Sequence, residues 1–251
     1  MPFSPARFTT GRRLDDGVLE RDLVIDGIPG TLWTPPSTPA PLILAGHPGG
    51  LQSMHPRLVA RARIAAASGF ATATVELPGS GERNPLPDVD HARTELRTAL
   101  SVGEPVTEDI IDRLVLPLVD RAVPELQATI DAVLRLPEVD GPVGYSGGVT
   151  AIGVRLALVE PRIAALGLFA GSYLPRATLQ EAREVAVPVH VLLQWDDAWN
   201  DRPRALELFD ALGSQEKTLQ ANMGGHTGIP LHAGEDAGRF FARHLRSSLP
   251  Q

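Results

Sequence analysis

The sequence predicts an α/β domain, and three observations lead there. Apolar strand-like runs alternate with helix-like ones along nearly the whole chain, the pattern of a sheet whose strands are joined by helical crossovers. The 251 residues suit one large domain, able to bury roughly 70–75% of its unfolded surface. There is no cysteine, so the core must hold without disulfides. Thiolate zinc sites and a cysteine nucleophile are excluded by the same fact.

The elements follow in order. VLERDLVIDG (18–27) and GTLWTP (30–35) read as an opening antiparallel pair. APLILAGH (40–47) is a short buried strand, and the alanine-rich 55–68 a helix closed by Gly69. FATATVEL (70–77) is a strand ending at Pro78-Gly79. PELQATIDAVLRL (124–136) predicts a helix with proline in its first turn and Leu126, Ile130, Val133 and Leu134 on one face. GPVGYS is a strand followed by a helix over 148–159, and 164–171 and 187–195 are further strands. A helix over 201–212 has Asp201 as its N-cap. A strand over 217–222 and a helix over 234–246 close the chain.

Residues 83–123 break the rhythm, lying between a strand and the helix expected after it. An insertion of that length exceeds a simple connection, and it reads as a helical cap or lid over a single domain spanning 1–251.

Charge and hydropathy exclude several classes. With 23 basic and 30 acidic residues the net charge is −7, and no basic run exceeds Arg12-Arg13, so nucleic acid is not an expected partner. No run approaches 18 apolar residues, so no membrane span is expected. The first residues lack the apolar core of a signal peptide, and a cytoplasmic location is the expectation.

Gly144-Tyr145-Ser146-Gly147-Gly148 is G-x-S-x-G at a strand-to-helix junction. At such an elbow a nucleophilic serine adopts strained backbone angles between small neighbours. Serine needs a base, ordinarily histidine oriented by a carboxylate, and in the elbow arrangement the order is Ser, Asp or Glu, His. Of the four histidines after Ser146, His190 lies within a strand and His244 within the last helix, where a structural role is expected. His226, in the glycine-rich loop NMGGHTGIP, is the expected base, with His232 as fallback. The tip of the strand before it offers Asp196, Asp197 and Asp201. Asp201 has its capping role, and Asp197 is preferred over Asp196 as the orienting acid. The oxyanion hole needs two backbone N–H groups. Gly147 follows the serine, and the loop GHPGG (46–50) supplies Gly49, since Pro48 has no N–H.

These features resemble the α/β-hydrolase superfamily over nearly the whole chain, within it the dienelactone-hydrolase-like and small bacterial esterase branch. The residues carrying the resemblance are LAGHPGG, VELPGSGER, GYSGG, LLQWDD and GGHTG. It implies a mostly parallel eight-stranded sheet with helices on both faces, no cofactor and no metal. Carried over position by position, it implies Ser146 as nucleophile, His226 as base, Asp197 as its partner, and Gly49 with Gly147 at the oxyanion hole. The implied function is a serine hydrolase cleaving a small carboxylic ester, lactone or thioester through an acyl-enzyme. The alternatives are another reaction on this scaffold (C–C hydrolysis, acyl transfer or cyclisation) or a binding protein. The chain departs from the pattern in reading His47-Pro48-Gly49-Gly50 where relatives often have H-G-G-G, in Ser80, and in lacking the cysteine nucleophile of dienelactone hydrolases. Tyr145, Trp195, Trp199, Ile111, Leu114, Val115 and Leu118 are candidates for substrate contact, each with ordinary core packing as the plainer reading.

Overall fold

Asp26-Gly27 makes a two-residue hairpin in which both residues have positive φ (51° and 80°), the turn whose twist matches that of its strands. It joins β3 (Leu19–Ile25) to β4 (Ile28–Thr34), after two short strands, β1 (Arg7–Phe8) and β2 (Arg12–Arg13), that pair antiparallel with β3. The computed structural model describes residues 5–170, 173–198 and 201–246.

The remaining elements alternate: β5 (Ala40–Gly46), α1 (Leu51–Ala67), β6 (Ala71–Val75), α2 (Pro87–Val102), α3 (Glu108–Val133), β7 (Val139–Gly147), α4 (Thr150–Val159). Then come β8 (Ile163–Phe169), α5 (Arg176–Ala182), β9 (Val189–Gln194), α6 (Arg202–Ala211), β10 (Lys217–Asn222) and α7 (Leu231–Leu245). The strands form one sheet in the order β1-β3-β4-β6-β5-β7-β8-β9-β10. Every pair from β6 through β10 is parallel, while β3 and β4 are antiparallel. Without the two-residue strands β1 and β2 the sheet has the expected eight strands. Asp201 caps α6, its carboxylate accepting from the Arg204 N–H at 3.4 Å.

Alternation along the strands sends side chains to two helical layers. Leu42, Leu44, Tyr145, Leu166 and Leu168 enter the large core shared with α3, α4, α5 and α6. Ile43, Ala45 and Ala165 face the opposite layer of α1 and α7, where Leu58, Ala62, Phe240, Phe241 and Leu245 pack. Glycine is required at 144, where an added Cβ would lie 2.8 Å from Phe241 and Leu245 of α7.

Two expectations change. The helix predicted to begin at Pro124 belongs to α3, 26 residues long and running through both Pro117 and Pro124. A proline inside a helix costs roughly 3 kcal/mol. Here Val115, Val119, Val123, Leu126, Ile130 and Val133 are buried along one stripe, and each buried aliphatic side chain returns about 1.5–3 kcal/mol. Thr107 caps the start, accepting from the Ile110 N–H at 3.3 Å. Residues 83–123 thus cover α2 and the first part of α3, and α2 packs on a helix whose second half belongs to the sheet's own crossover. The first turn of α1 also starts earlier than expected, at Leu51, with Pro56 inside it.

Candidate active site

Ser146, Gly147 and the carbonyl-side ends of neighbouring parallel strands meet at one end of the sheet, where loops, α1, α7 and α3, with Arg93 of α2, enclose a cavity of about 720 Å³. The wall is mainly apolar. Ser146 and His226 both contribute to it, as do Gly46, Pro48, Gly147 and Gly148.

The acid–base half of the site is assembled. Asp197, at the tip of β9, has its carboxylate fully buried and 2.7 Å from Nδ1 of His226, whose side chain is 44% exposed. A buried carboxylate accepting at Nδ1 puts the proton there and leaves Nε2 with its lone pair outward. The His226 ring also packs in a T-shaped arrangement with Phe169, centroids 5.3 Å apart. Asp196, next in sequence, points to solvent, and its backbone N–H bonds the Gly224 carbonyl. His232 is exposed in the first turn of α7.

The serine half is arranged differently from the expected elbow. Ser146 remains in the β7 ladder, opposite Ala45 and Gly167. Among the described residues only Asp26 has positive φ without being glycine, so Ser146 is not the strained residue. The left-handed turn falls on Gly147 (φ 76°) and Gly148 (φ 72°). Glycine adopts this conformation freely, whereas a side chain there costs about 1–2 kcal/mol. Two consecutive glycines thus let the chain turn one residue later. At Gly148 a Cβ would sit 2.7 Å from the Cα of Gly46, so only glycine fits between the tips of β5 and β7.

Ser146 Oγ accepts a 3.3 Å hydrogen bond from Nη2 of Arg61, and no hydrogen bond joins it to His226 among the described residues. The same Nη2 donates to the Ser146 carbonyl at 2.5 Å, and Nη1 donates to the Gly46 carbonyl at 2.8 Å. Arg61 thus ties the tips of β5 and β7 together from α1. Burial pulls its guanidinium below the ordinary arginine value, with no carboxylate to offset the loss of water. Arg61 was missed in the sequence, although a signal existed. It stands three residues after Leu58 and one before Ala62, a cation on the helix face that packs on the sheet.

The 47–50 loop is fixed by its flanks. His47 is buried, with Nδ1 2.5 Å from the Gly49 carbonyl oxygen and Nε2 3.0 Å from that of Val75. Glu76 accepts the Leu51 N–H at 2.9 Å. Gly49 itself lies beside the cavity wall rather than in it, flanked there by Gly46 and Pro48.

The remaining expected contacts divide. Leu114, Val115 and Leu118 line the cavity from α3. Ile111 does not, being a turn away and packed on the large core. Tyr145 points to the opposite face of the sheet and is buried there, because it alternates with Ser146. Trp195 is turned outward, with the Arg202 guanidinium 4.3 Å above its ring. Trp199 lies outside the described residues. Three or more metal-ligating side chains do not converge anywhere among the described residues, and no described helix is long and apolar enough to cross a membrane.

No protein-family model matches the sequence, and no curated protein sequence matches it. Solved structures do. A cold-adapted esterase from an Arctic intertidal metagenomic library superposes with a TM-score of 0.74 at 23% identity, covering 96% of this chain and all of that one. The fold is the α/β-hydrolase fold. The acetyl xylan esterase of Paenibacillus sp. R4 (TM-score 0.65, 13% identity, 97% of this chain and 90% of that one) has the same overall path. So does an esterase of Pyrococcus furiosus (TM-score 0.63, 11% identity, 96% and 93%). In an α/β-hydrolase sheet the cavity lies where such sheets form sites, at the carboxyl ends of the parallel strands.

Proposed function

We propose that the protein is a serine hydrolase that cleaves a carboxylic ester of a small molecule. The observation that carries this reading is the Asp197–His226 pair, buried at its acidic end and open at its imidazole end onto the cavity that also holds Ser146. An oriented imidazole with a free Nε2 is a general base in search of a proton, and Ser146 lines the same cavity. Names of the structural neighbours, esterases in the cases given, point the same way.

In this mechanism Ser146 Oγ leaves Arg61 Nη2 and turns toward His226, which takes its proton as the oxygen attacks the ester carbonyl. Hydrogen bonds of this kind are often loose before substrate binds. The backbone N–H of Gly147 receives the oxyanion, the alcohol leaves with the proton that His226 took, and water activated by His226 releases the acid. The helices α2 and α3 act as the cap that keeps bulk water from the apolar wall.

Intact-mass spectrometry after treatment with a fluorophosphonate probe tests the assignment. One adduct on the wild type and none on Ser146→Ala is the expected result. No adduct on either would overturn it, and would favour the reading that Ser146, bonded to Arg61, is a structural hydroxyl in a binding protein.

A further inference from the structure

The cavity wall contains no aspartate or glutamate among the described residues, yet Arg57, Arg61 and Arg93 all contribute to it. In a protein of net charge −7 this is a local reversal of sign. Arg93, on α2, is neutralised by Asp90 at 2.5 Å. The other two are not. Arg61 donates three hydrogen bonds to uncharged oxygens, at Gly46 and Ser146, and a guanidinium has five N–H donors. Arg57 lies one helical turn earlier on the same face of α1, exposed, with no hydrogen bond or ion pair among the described residues.

A partly buried guanidinium without a counter-charge is an incomplete arrangement, because desolvation of the cation goes uncompensated. That describes Arg61; Arg57, exposed, stands four residues earlier on the same side of the helix, and each planar guanidinium can donate in parallel to two oxygens of a carboxylate or phosphate. The rest of the wall is apolar, with Leu114, Leu118 and Phe241 among its residues. The site thus combines a hydrophobic sleeve, a hydroxyl and a cationic flank.

We propose that this cavity takes an ester whose acyl or alcohol part bears an oxyanionic substituent, carboxylate or phosphate, held by Arg57 and Arg61 beside Ser146. The inference rests on the hydrolase reading for what happens to the ester, but not for the binding of the anion.

Binding to the Ser146→Ala protein separates the two. Isothermal calorimetry with monomethyl adipate and with methyl hexanoate compares a charged and a neutral ester of similar length. A third ligand, the methyl ester of 6-phosphonohexanoic acid, distinguishes a carboxylate site from a phosphate site. At least one charged ester is expected to bind about tenfold or more tightly than methyl hexanoate. Arg57→Met on the same background is expected to reduce that charged-to-neutral ratio by about 10- to 100-fold, the range for a hydrogen-bonded charge pair. Equal affinity for charged and neutral esters would overturn the proposal, as would a ratio that Arg57→Met leaves in place. Retained selectivity in a wild type that forms no fluorophosphonate adduct would sink the hydrolase reading and leave the anion site standing. Turnover of neutral esters with no charge selectivity would do the reverse. If Arg61→Met slows turnover of charged and neutral esters by the same factor, Arg61 serves Ser146 and not the substituent, and the assignment of that residue falls.

Discussion

The tips of β9 and β7 hold the two halves of the candidate site, and they are built in opposite ways. At β9 a charge is buried with its partner in place: Asp197 and His226 are 2.7 Å apart across 29 residues of sequence. At β7 the hydroxyl of Ser146 accepts from a cation of α1 and has no hydrogen bond to His226. The first half is complete without substrate. In the second, Arg61 donates three bonds that brace the turn through Gly147 and Gly148. The difference teaches that a buried carboxylate must be satisfied within the fold, whereas a serine hydroxyl is free to change partner when a ligand arrives.

The largest expected effect tests whether the halves act as one unit. Ser146→Ala and His226→Ala should each lower kcat on a turned-over ester by about 10⁶, and the double variant should lose no more than either alone. Additive losses in steady-state kinetics would mean that the two residues act separately. Next comes the acid. Asp197→Asn should cost about 10⁴ in kcat, with Asp196→Asn within about threefold. Equal losses would break the contrast between the buried and the exposed aspartate.

The serine half can be strained directly. Gly148→Ala forces a Cβ into the Gly46 backbone at positive φ, and urea unfolding should show a loss of at least about 2 kcal/mol. A loss below about 0.5 kcal/mol would mean that β5 and β7 are not held as closely as described. A smaller change of opposite sign is expected at Thr72, in the cavity wall on β6, whose buried hydroxyl has no partner. Thr72→Val should be neutral or stabilise by up to about 1 kcal/mol, since it removes an unsatisfied group while keeping shape. Destabilisation by more than that would indicate a bound partner for the hydroxyl.

The smallest effect concerns pH. Burial holds the His190 imidazole below the ordinary histidine value, with Asp236 of α7 and Gln220 of β10 acting the other way. The folded form therefore binds this proton less readily than the unfolded chain, so stability rises with pH where only the unfolded chain is protonated. Between the lowered folded value and about 6.5, stability should fall as pH falls, and His190→Phe should flatten that part of the profile. An unchanged slope in urea midpoints would assign it to other groups.

Much of the fold was legible along the chain. Except for β10, each parallel strand is a short, mainly apolar run closed by glycine, proline or a polar cluster, and such local signals survive folding. The opening antiparallel pair was legible, although its turn falls on Asp26-Gly27 inside the run read as strand, and Asp201 marked the cap of α6, because both depend on neighbours close in sequence. Pro124 misled, since a proline in a first turn and one inside a long helix look alike until the buried stripe from Val115 to Val133 is counted as one surface. Tyr145 misled for a simpler reason: adjacency to the serine in sequence places it on the other face of the strand.

The sequence by itself determined the alternation of strands and helices, the order in which Ser146, Asp197 and His226 arrive, and the glycines that let β7 turn. These are properties of local propensity and spacing. Only the tertiary structure decided which aspartate meets His226, where the left-handed turn falls, and that Arg61 donates to the Ser146 hydroxyl. Those depend on burial and on contacts between residues far apart in the chain. The energy of a charge or a hydroxyl is set by what surrounds it in space, not by what precedes it in sequence.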